Sequence, residues 1–476
     1  MLSTPRIVLV VTGLLCLALF AKLWRDPPAV PSYLESTPLG SHGHSADHTP
    51  ADESKIEEDA SEGADADVCH GLERLKDVVF VLKTGATEIY EKLPIHLATT
   101  FACGSDYVIY SDLEQQFGVV PIHDALASVS QDIQDQHEDL AQYRLLKEHV
   151  AGGGDAAELK GEKSWGLDKW KFLPMVTDAY EKFGETKKWY FFMEADTYVS
   201  LQNLLLFLDT LDERKPVFAG AQVMIGDTEF AHGGSGVVLS APAAKAFNAS
   251  YLRDQPSWEN MVAKQCCGDL MVAEVLLKAD PSIKLHTSFP LIQGETPASL
   301  DWSEKHWCKP AVTWHHVDAV GIDKLWQFDS EWREAHGAGE PMLFEDYYKS
   351  FVLPQIRAAD GKMKGWDNLA QDWSFRNGDD DNPASKSAKA CERFCRGEDH
   401  CLQWFWSPGF CKAGKVVRLG WSMKNRPGLG SADDRIAHFG EEESRKAVSG
   451  WFLDRIEAWQ TAQGVCDRSP WRISGD

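Results

Sequence analysis

The segment Lys188-Trp189-Tyr190-Phe191-Phe192-Met193-Glu194-Ala195-Asp196-Thr197-Tyr198-Val199 constrains this chain more than any other. Its apolar run, Trp189 to Met193, reads as a buried strand, and two carboxylates follow directly at its end. With a period of two, Glu194 and Asp196 project to the same side, roughly 7 Å apart at the α-carbons. Two acids so placed can share a hard cation, Mn²⁺ or Mg²⁺, which takes oxygen ligands and leaves room for a substrate's phosphates. The rival reading is a strand ending in solvated charge, because acid-X-acid after an apolar run is a common pattern.

The chain of 476 residues is long enough for two or three domains, and 43% hydrophobic content is enough to build cores. A formal charge of -24 with no Lys/Arg-rich patch argues against nucleic acid as a partner. A small phosphorylated substrate held through a metal stays open. Ile7 to Ala21 is apolar apart from Thr12 and Gly13, with Arg6 before it and Lys22, Trp24 and Arg25 after it. Lys22 can snorkel and extend the span to Trp24, which gives a membrane anchor over 7–24 behind a short tail, 1–6. A cleaved signal peptide is the competitor, and the flanking positive charges leave orientation undecided.

Of eleven cysteines, Cys16 falls in the anchor, leaving an even number for the rest of the chain. That parity and the tight local spacing suggest disulfides and an oxidising compartment. The sequon Asn248-Ala249-Ser250 agrees with a secretory location. From 25 to 67 the chain is Pro-, Ser-, His- and acid-rich without hydrophobic period, a flexible stem in which His42, His44 and His48 read as solvated.

Order begins near Val68. Val78 to Leu82 and Tyr107 to Tyr110 are β-rich runs separated by helical spacing from Ile89 through Leu97. A helix over Trp170 to Phe183 then feeds the Trp189 strand, and Ser200 is placed to cap a helix from Leu201 to Leu211. Strands are expected at Val217 to Ala221 and Val237 to Leu239, and a helix at Ser240 with Pro242 in its first turn. Alternation of this kind implies an α/β fold with a mostly parallel sheet, whose ligands gather at the carboxyl ends of the strands. After Lys349 the character changes. Cys391, Cys395, Cys401 and Cys411 fall close together around Trp404-Phe405-Trp406, and Cys391 and Cys395 would share a helix face. Zinc is the rival there, but acidic surroundings and the lack of paired C-x2-C units favour disulfides.

Tyr190 to Val199, followed by His232-Gly233-Gly234-Ser235-Gly236-Val237-Val238-Leu239-Ser240, resembles the acid-X-acid-Thr-Tyr-Val and Gly-Gly-Ala-Gly segments of Fringe and core-1 β1,3-galactosyltransferases, glycosyltransferase family 31. Val79 to Thr84 is similar to that family's opening strand, and Tyr110-Ser111-Asp112 to its second strand. The resemblance covers roughly Val78 to Trp326 and implies a GT-A fold, a Rossmann-like mixed sheet in a domain placed over 68–350, with a type II anchor in the Golgi membrane and the catalytic domain in the lumen. It also implies inverting, β1,3-type transfer from a UDP-sugar to a glycan or glycoprotein. Two departures stand out: the usual first aspartate is Glu194, and the middle acid is Ala195. The region 365–470, with its cysteines and Gly450-Trp451-Phe452-Leu453-Asp454-Arg455-Ile456, resembles a small α+β PAN/apple domain, a combination like that of membrane-anchored family-31-type proteins of fungi. That likeness implies Cys391 to Cys411 and Cys395 to Cys401 pairing, and a protein or carbohydrate partner for the module.

Transfer from a UDP-sugar needs a metal to neutralise the departing diphosphate and a carboxylate to activate the acceptor hydroxyl. Glu194 and Asp196 are the expected metal ligands, with His315 third, because Trp314-His315-His316-Val317 resembles the family's aromatic-His-Tyr-Val segment; His316 is the close alternative, and a core histidine the plain one. Asp269 opens an apolar helix and is the candidate general base, or only its N-cap. Gly233, Gly234 and Ser235 are assigned to the donor, since glycines let backbone approach a sugar, although a tight turn explains them too. Thr84 and Asp112 would meet the nucleoside by the same likeness. Asp168 and Lys169 precede a helix and are candidates for the diphosphate, with a surface ion pair as the alternative. Two other classes compete. A retaining glycosidase needs carboxylates about 5.5 Å apart across a sugar rather than neighbours on one strand, and a non-catalytic lectin-like protein would explain Ala195 as a lost acid.

Overall fold

The computed structural model describes residues 68–377, 382–424 and 446–468, all within the unit Ala60–Asp476. The tail, the anchor at 7–24 and the stem at 25–67 lie outside the described residues. Among the described residues no helix is long and apolar enough to cross a membrane.

The central strand β1, Val78–Lys83, is buried at every position, because helices cover both faces of the sheet. The remaining strands of the first half are β2 (Asp106–Ser111), β3 (Gln115–Phe117), β4 (Val120–Asp124), β5 (Trp189–Glu194), β6 (Tyr198–Val199), β7 (Phe218–Gly220), β8 (Gln222–Ile225), β9 (Thr228–Ala231), β10 (Val237–Ser240), β11 (Leu285–Thr287) and β12 (Thr313–Trp314). Eight of them form one sheet in the order β11-β7-β10-β5-β1-β2-β4-β3. β1 runs parallel to β2 and β5, whereas β10 is antiparallel to both of its neighbours and β3 to β4. The sheet is therefore mixed, compatible with the expected GT-A arrangement. β1 has its sequence neighbour β2 on one side and the later β5 on the other, so a crevice opens at its carboxyl end.

The period of two sorts the core. Val79, Val81, Tyr190 and Phe192 face the helices Asp168–Phe183, Ala241–Arg253 and Gly268–Ala279; Phe80, Leu82, Phe191 and Met193 face Ile89–Ala98 and Leu201–Leu208. The helix after Ser240 forms as expected, its hydroxyl accepting from the Ala243 amide. The one after Ser200 ends at Leu208, three residues short of the expectation, and Ser200 makes no side-chain capping bond. The sequon lies inside the helix Ala241–Arg253 with Ser250 buried, rather than in a surface loop.

The C-terminal strands are β13 (Lys362–Lys364), β14 (Trp366–Asp367), β15 (Trp373–Arg376), β16 (Gln403–Ser407), β17 (Phe410–Gly414), β18 (Trp421–Ser422) and β19 (Val448–Trp451). An antiparallel sheet, β13-β19-β16-β17-β15, carries the helix Ala388–Gly397, which is tied down by the Cys391–Cys411 and Cys395–Cys401 disulfides. Both pairings match those implied by the apple-domain likeness, and the region fits a small disulfide-rich domain. It shares a core with the first half: Trp302, Trp307 and Trp314 pack in one cluster with Val417, Leu419, Trp451 and Trp459. A bridge between Trp302 and Val417 and the Cys308–Cys466 disulfide reinforce that junction.

Candidate active site

β5 stops at Glu194 because Thr197 folds the chain back. The Thr197 amide donates to the Glu194 carbonyl at 3.0 Å, and its hydroxyl accepts from the Glu194 amide at 3.1 Å and donates to the Gly234 carbonyl at 2.8 Å. Glu194 and Asp196 therefore do not share a strand face, as the period of two implied. A turn, not a pleat, brings them together. His96, buried on the helix Ile89–Ala98, fixes that turn: its Nε2 lies 2.9 Å from the Ala195 carbonyl and its Nδ1 3.1 Å from Thr100 Oγ1. A carbonyl only accepts, so Nε2 carries the proton, and burial keeps the ring neutral with its pKa pushed down to about 4.

β12 pairs antiparallel with β6, Trp314 opposite Tyr198, and the Val317 amide donates to the Asp196 carbonyl at 2.9 Å. This register brings His315 to the turn, where its Nε2 lies 3.2 Å from Asp196 Oδ1 and 3.9 Å from Glu194 Oε2. Gly234 backs the ring so closely that a Cβ there would come within 2.3 Å of it. Burial opposes charge on all three groups, yet their mutual attraction outweighs it: His315 is pushed up to about 9, Asp196 down to about 2 and Glu194, with the Lys83 ammonium beside it, well below its ordinary value.

Beyond their mutual ion pair, Asp196 Oδ1 and His315 Nε2 have no hydrogen-bond partner, and the buried His315 Nδ1 has none at all. A carboxylate and an imidazole paired in this way can exchange the ring proton for a cation. Asp196, His315 and His316 each offer a ligand atom, all within 4.8 Å of one another. Glu194, expected as a ligand, turns Oε2 toward His315 while its Oε1 pairs with Lys83: Lys83 Nζ is 3.0 Å from Glu194 Oε1, pairs also with Asp168, and lies 4.3 Å from the centre of the Phe172 ring.

The other expected residues divide. Asp168 joins the cluster through Lys83 and lies 3.7 Å from Lys171 Nζ. Thr84 and Asp112 sit at the ends of β1 and β2 beside the same lysine: Lys171 donates to the Thr84 carbonyl at 2.9 Å and lies 3.8 Å from Asp112 Oδ2. The Thr84 hydroxyl and Asp112 Oδ2 are buried and unpartnered, while Asp112 Oδ1 accepts from the Ala86 amide at 2.5 Å, the turn-capping role that was its alternative. Lys169 does not join them. Its ammonium is engaged by Asp139 at 2.8 Å and the Gln265 carbonyl at 3.2 Å, so the ion-pair reading applies to it.

Asp269 is not an N-cap: it is the second residue of its helix, with Cys267, disulfide-bonded to Cys266, in the cap position. Its carboxylate accepts from the amides of Gly233 and Leu270, both at 2.9 Å. Burial raises its pKa against those bonds and the nearby His232, and it borders an apolar cavity of about 10 Å³ walled by Phe172, Val176, Phe192 and Val272. The Gly233-Gly234 loop thus touches Asp269 on one side and His315 on the other. Ser235 is buried, its hydroxyl 2.8 Å from His232 Nδ1.

Lys83, Lys92, Lys171, His96 and His232 were not singled out from the sequence. Lys92 Nζ lies 3.3 Å from Asp196 Oδ2 and 3.1 Å from Glu88. A lysine closing a wholly apolar strand, as Lys83 closes β1, was the one available signal, since a buried ammonium requires a carboxylate partner.

Residues 171–288 match the family model described as Fringe-like. The matched stretch carries Glu194, Asp196, Gly233, Gly234, Ser235 and Asp269; Lys83, Thr84, Asp112 and His315 lie outside it. This match supports a glycosyltransferase-type function.

Proposed function

We propose that the protein is a metal-dependent, inverting glycosyltransferase that moves one sugar from a UDP-sugar to a hydroxyl of a glycan or glycoprotein, with β1,3 linkage. The observation that carries this reading is the buried carboxylate–imidazole pair of Asp196 and His315 in the turn after β5, with Asp269 across the Gly233-Gly234 loop. A divalent cation held by Asp196 and His315 would supply Lewis-acid neutralisation of the diphosphate. Thr84 and Asp112 have unpartnered oxygens for the nucleoside. Lys83 is a fixed positive charge beside the cluster. The Asp269 carboxylate, raised by burial, takes the proton from the acceptor hydroxyl as it attacks the sugar from the side opposite the diphosphate. Residues 68–350 form the catalytic domain. The span 7–24 anchors it to the Golgi membrane as a type II protein, 25–67 is the stem, and 365–470 is an apple-like module that engages a protein or carbohydrate.

The test is UDP release from a panel of UDP-sugars with Mn²⁺, alongside calorimetry with UDP. Asp196→Ala should abolish metal-dependent UDP binding, and Asp269→Asn should bind UDP as before and lose turnover. Unchanged turnover in Asp269→Asn would refute the base assignment. Retained Mn²⁺-dependent UDP affinity would count against the lectin-like alternative, and its absence together with loss of turnover on every donor would favour it.

A further inference from the structure

We propose that the C-terminal module is a positioning element of the active site: it grips from behind the loop 293–302, against which His315 and the Gly233-Gly234 loop are set. This goes beyond the reading above and rests on it, since what is positioned is the site assigned to sugar transfer.

On its front this loop touches the site at three points. The Gln293 amide donates to the Thr313 hydroxyl on β12 at 2.9 Å, and the Glu295 carbonyl accepts from the His315 amide at 3.1 Å. Gly294 lies so near the Gly-Gly turn that a Cβ there would come 3.1 Å from Ser235 Oγ and 3.8 Å from His232 Nδ1. On its back the loop is held by the segment that follows β17: the Trp302 amide donates to the Val417 carbonyl at 3.0 Å, and the Gly420 amide donates to the Ala298 carbonyl at 2.8 Å. Between front and back the chain is knotted by its own hydrogen bonds. Thr296 Oγ1 accepts from the amides of Ala298 and Ser299, both at 3.1 Å, Ser299 Oγ accepts from the Thr296 amide at 3.0 Å, and the Trp302 indole donates to the Pro297 carbonyl at 3.1 Å. Contiguous hydrogen-bonded chains of this kind carry coupling between separated points. Packing follows the same route, because Val417 and Leu419 are buried in one cluster with Trp302 and with Trp314, the residue before His315. The loop, His315 and the module all lie outside the matched residues 171–288, so the grip belongs to this chain's own architecture. A misplacement of about 1 Å at a reacting centre can cost about a hundredfold in rate, so a loosened grip is readable in turnover.

The full chain, labelled with ¹⁵N-histidine, is compared with variants of the module. Val417→Ala and Leu419→Ala trim the grip, whereas Phe405→Leu trims the module's other apolar cluster, with Ala370 and Ala447, and controls for lost stability alone. UDP release is measured well below every thermal midpoint, with whichever member of a UDP-sugar panel the wild type cleaves. Both grip variants should lose about three- to thirtyfold in kcat/KM and shift the His315 amide signal, assigned by its loss in His315→Gln. Phe405→Leu should lower the midpoint yet leave that signal in place and kcat/KM within about twofold. An unmoved signal and unchanged turnover in both grip variants, or equal changes in Phe405→Leu, would overturn the proposal while donor cleavage by the wild type keeps the transferase reading standing. A His315 shift confined to the grip variants, in a protein that cleaves no donor, would uphold the grip and sink the transferase reading alone.

Discussion

Replacing Lys83 by Met should separate the two tasks of the cluster, because stability and ion affinity move in opposite directions. At 3.0 Å from Glu194, and with an effective dielectric of about 20, the gross attraction is about 5.5 kcal/mol. Removing one member of such a buried pair costs about 3–5 kcal/mol, mostly as the stranded partner's desolvation. Glu194 is 28% exposed and keeps His315 nearby, and Asp168 keeps Lys171, so the lower end, about 3 kcal/mol, applies. Urea unfolding measures it. In the double variant Lys83→Met/Glu194→Gln no anion is stranded at 194, and about half of that loss should return. At the same time Lys83→Met removes a positive charge beside the cation seat, so Mn²⁺ should bind more tightly in a resonance titration. Additivity of the two substitutions within about 0.5 kcal/mol would refute the pairing argument. A fall in Mn²⁺ affinity alongside stability would show instead that Lys83 scaffolds the seat.

Three further outcomes follow from the geometry. Gly234→Ala would place a Cβ 2.3 Å from the His315 ring and should displace the imidazole, lowering Mn²⁺ affinity in a resonance titration. Asp329 is buried, and burial pushes its pKa up to about 6, against about 3.9 when unfolded, so its contribution is most favourable below pH 4 and is lost as pH rises to about 6, by about 3 kcal/mol. Asp329→Asn keeps an acceptor for the Tyr347 hydroxyl, and the difference in urea midpoint between it and the wild type should change sharply across that window and level off above it. The Cys308–Cys466 bridge spans 158 residues, which in the chain-entropy account contributes up to about 5 kcal/mol. Cys308→Ala/Cys466→Ala should lower the thermal midpoint by several degrees; an unchanged midpoint would mean that packing of Trp459 against Trp307 suffices.

The parts of this protein legible in its sequence are those where one local pattern decides. Val78 to Leu82, Tyr107 to Tyr110 and Trp189 to Met193 have no way to be satisfied except inside a covered sheet, and they form β1, β2 and β5. Ser240 followed by Pro242 is a local start signal for a helix, and the Ser240 hydroxyl caps the helix Ala241–Arg253. What stayed hidden depends on distant partners. Lys83 is buried because Asp168 and Glu194, 85 and 111 residues further on, arrive beside it, and no period of two contains that information. The link from Trp302 to Val417, which merges the C-terminal sheet with the first core, is likewise written in no local pattern. Glu194 illustrates the converse: its spacing from Asp196 was read as a strand, and the Thr197 turn changed which groups it could reach.

Ala195 bears on whether the departure from three consecutive acids signals a lost activity. Both of its backbone groups are used, the amide to the Lys83 carbonyl at 3.1 Å and the carbonyl to His96 at 2.9 Å, so the residue is the pivot of the turn. Its side chain is 3% exposed and belongs to the apolar cluster with Leu82, Met193 and Leu204. A third acid at this point would be buried without a cation beside it and flanked by two like charges, both of which raise the cost of ionisation. A small apolar side chain at 195 is therefore what the packing of this turn accommodates, and an acid there would carry the cost of burial among Leu82, Met193 and Leu204.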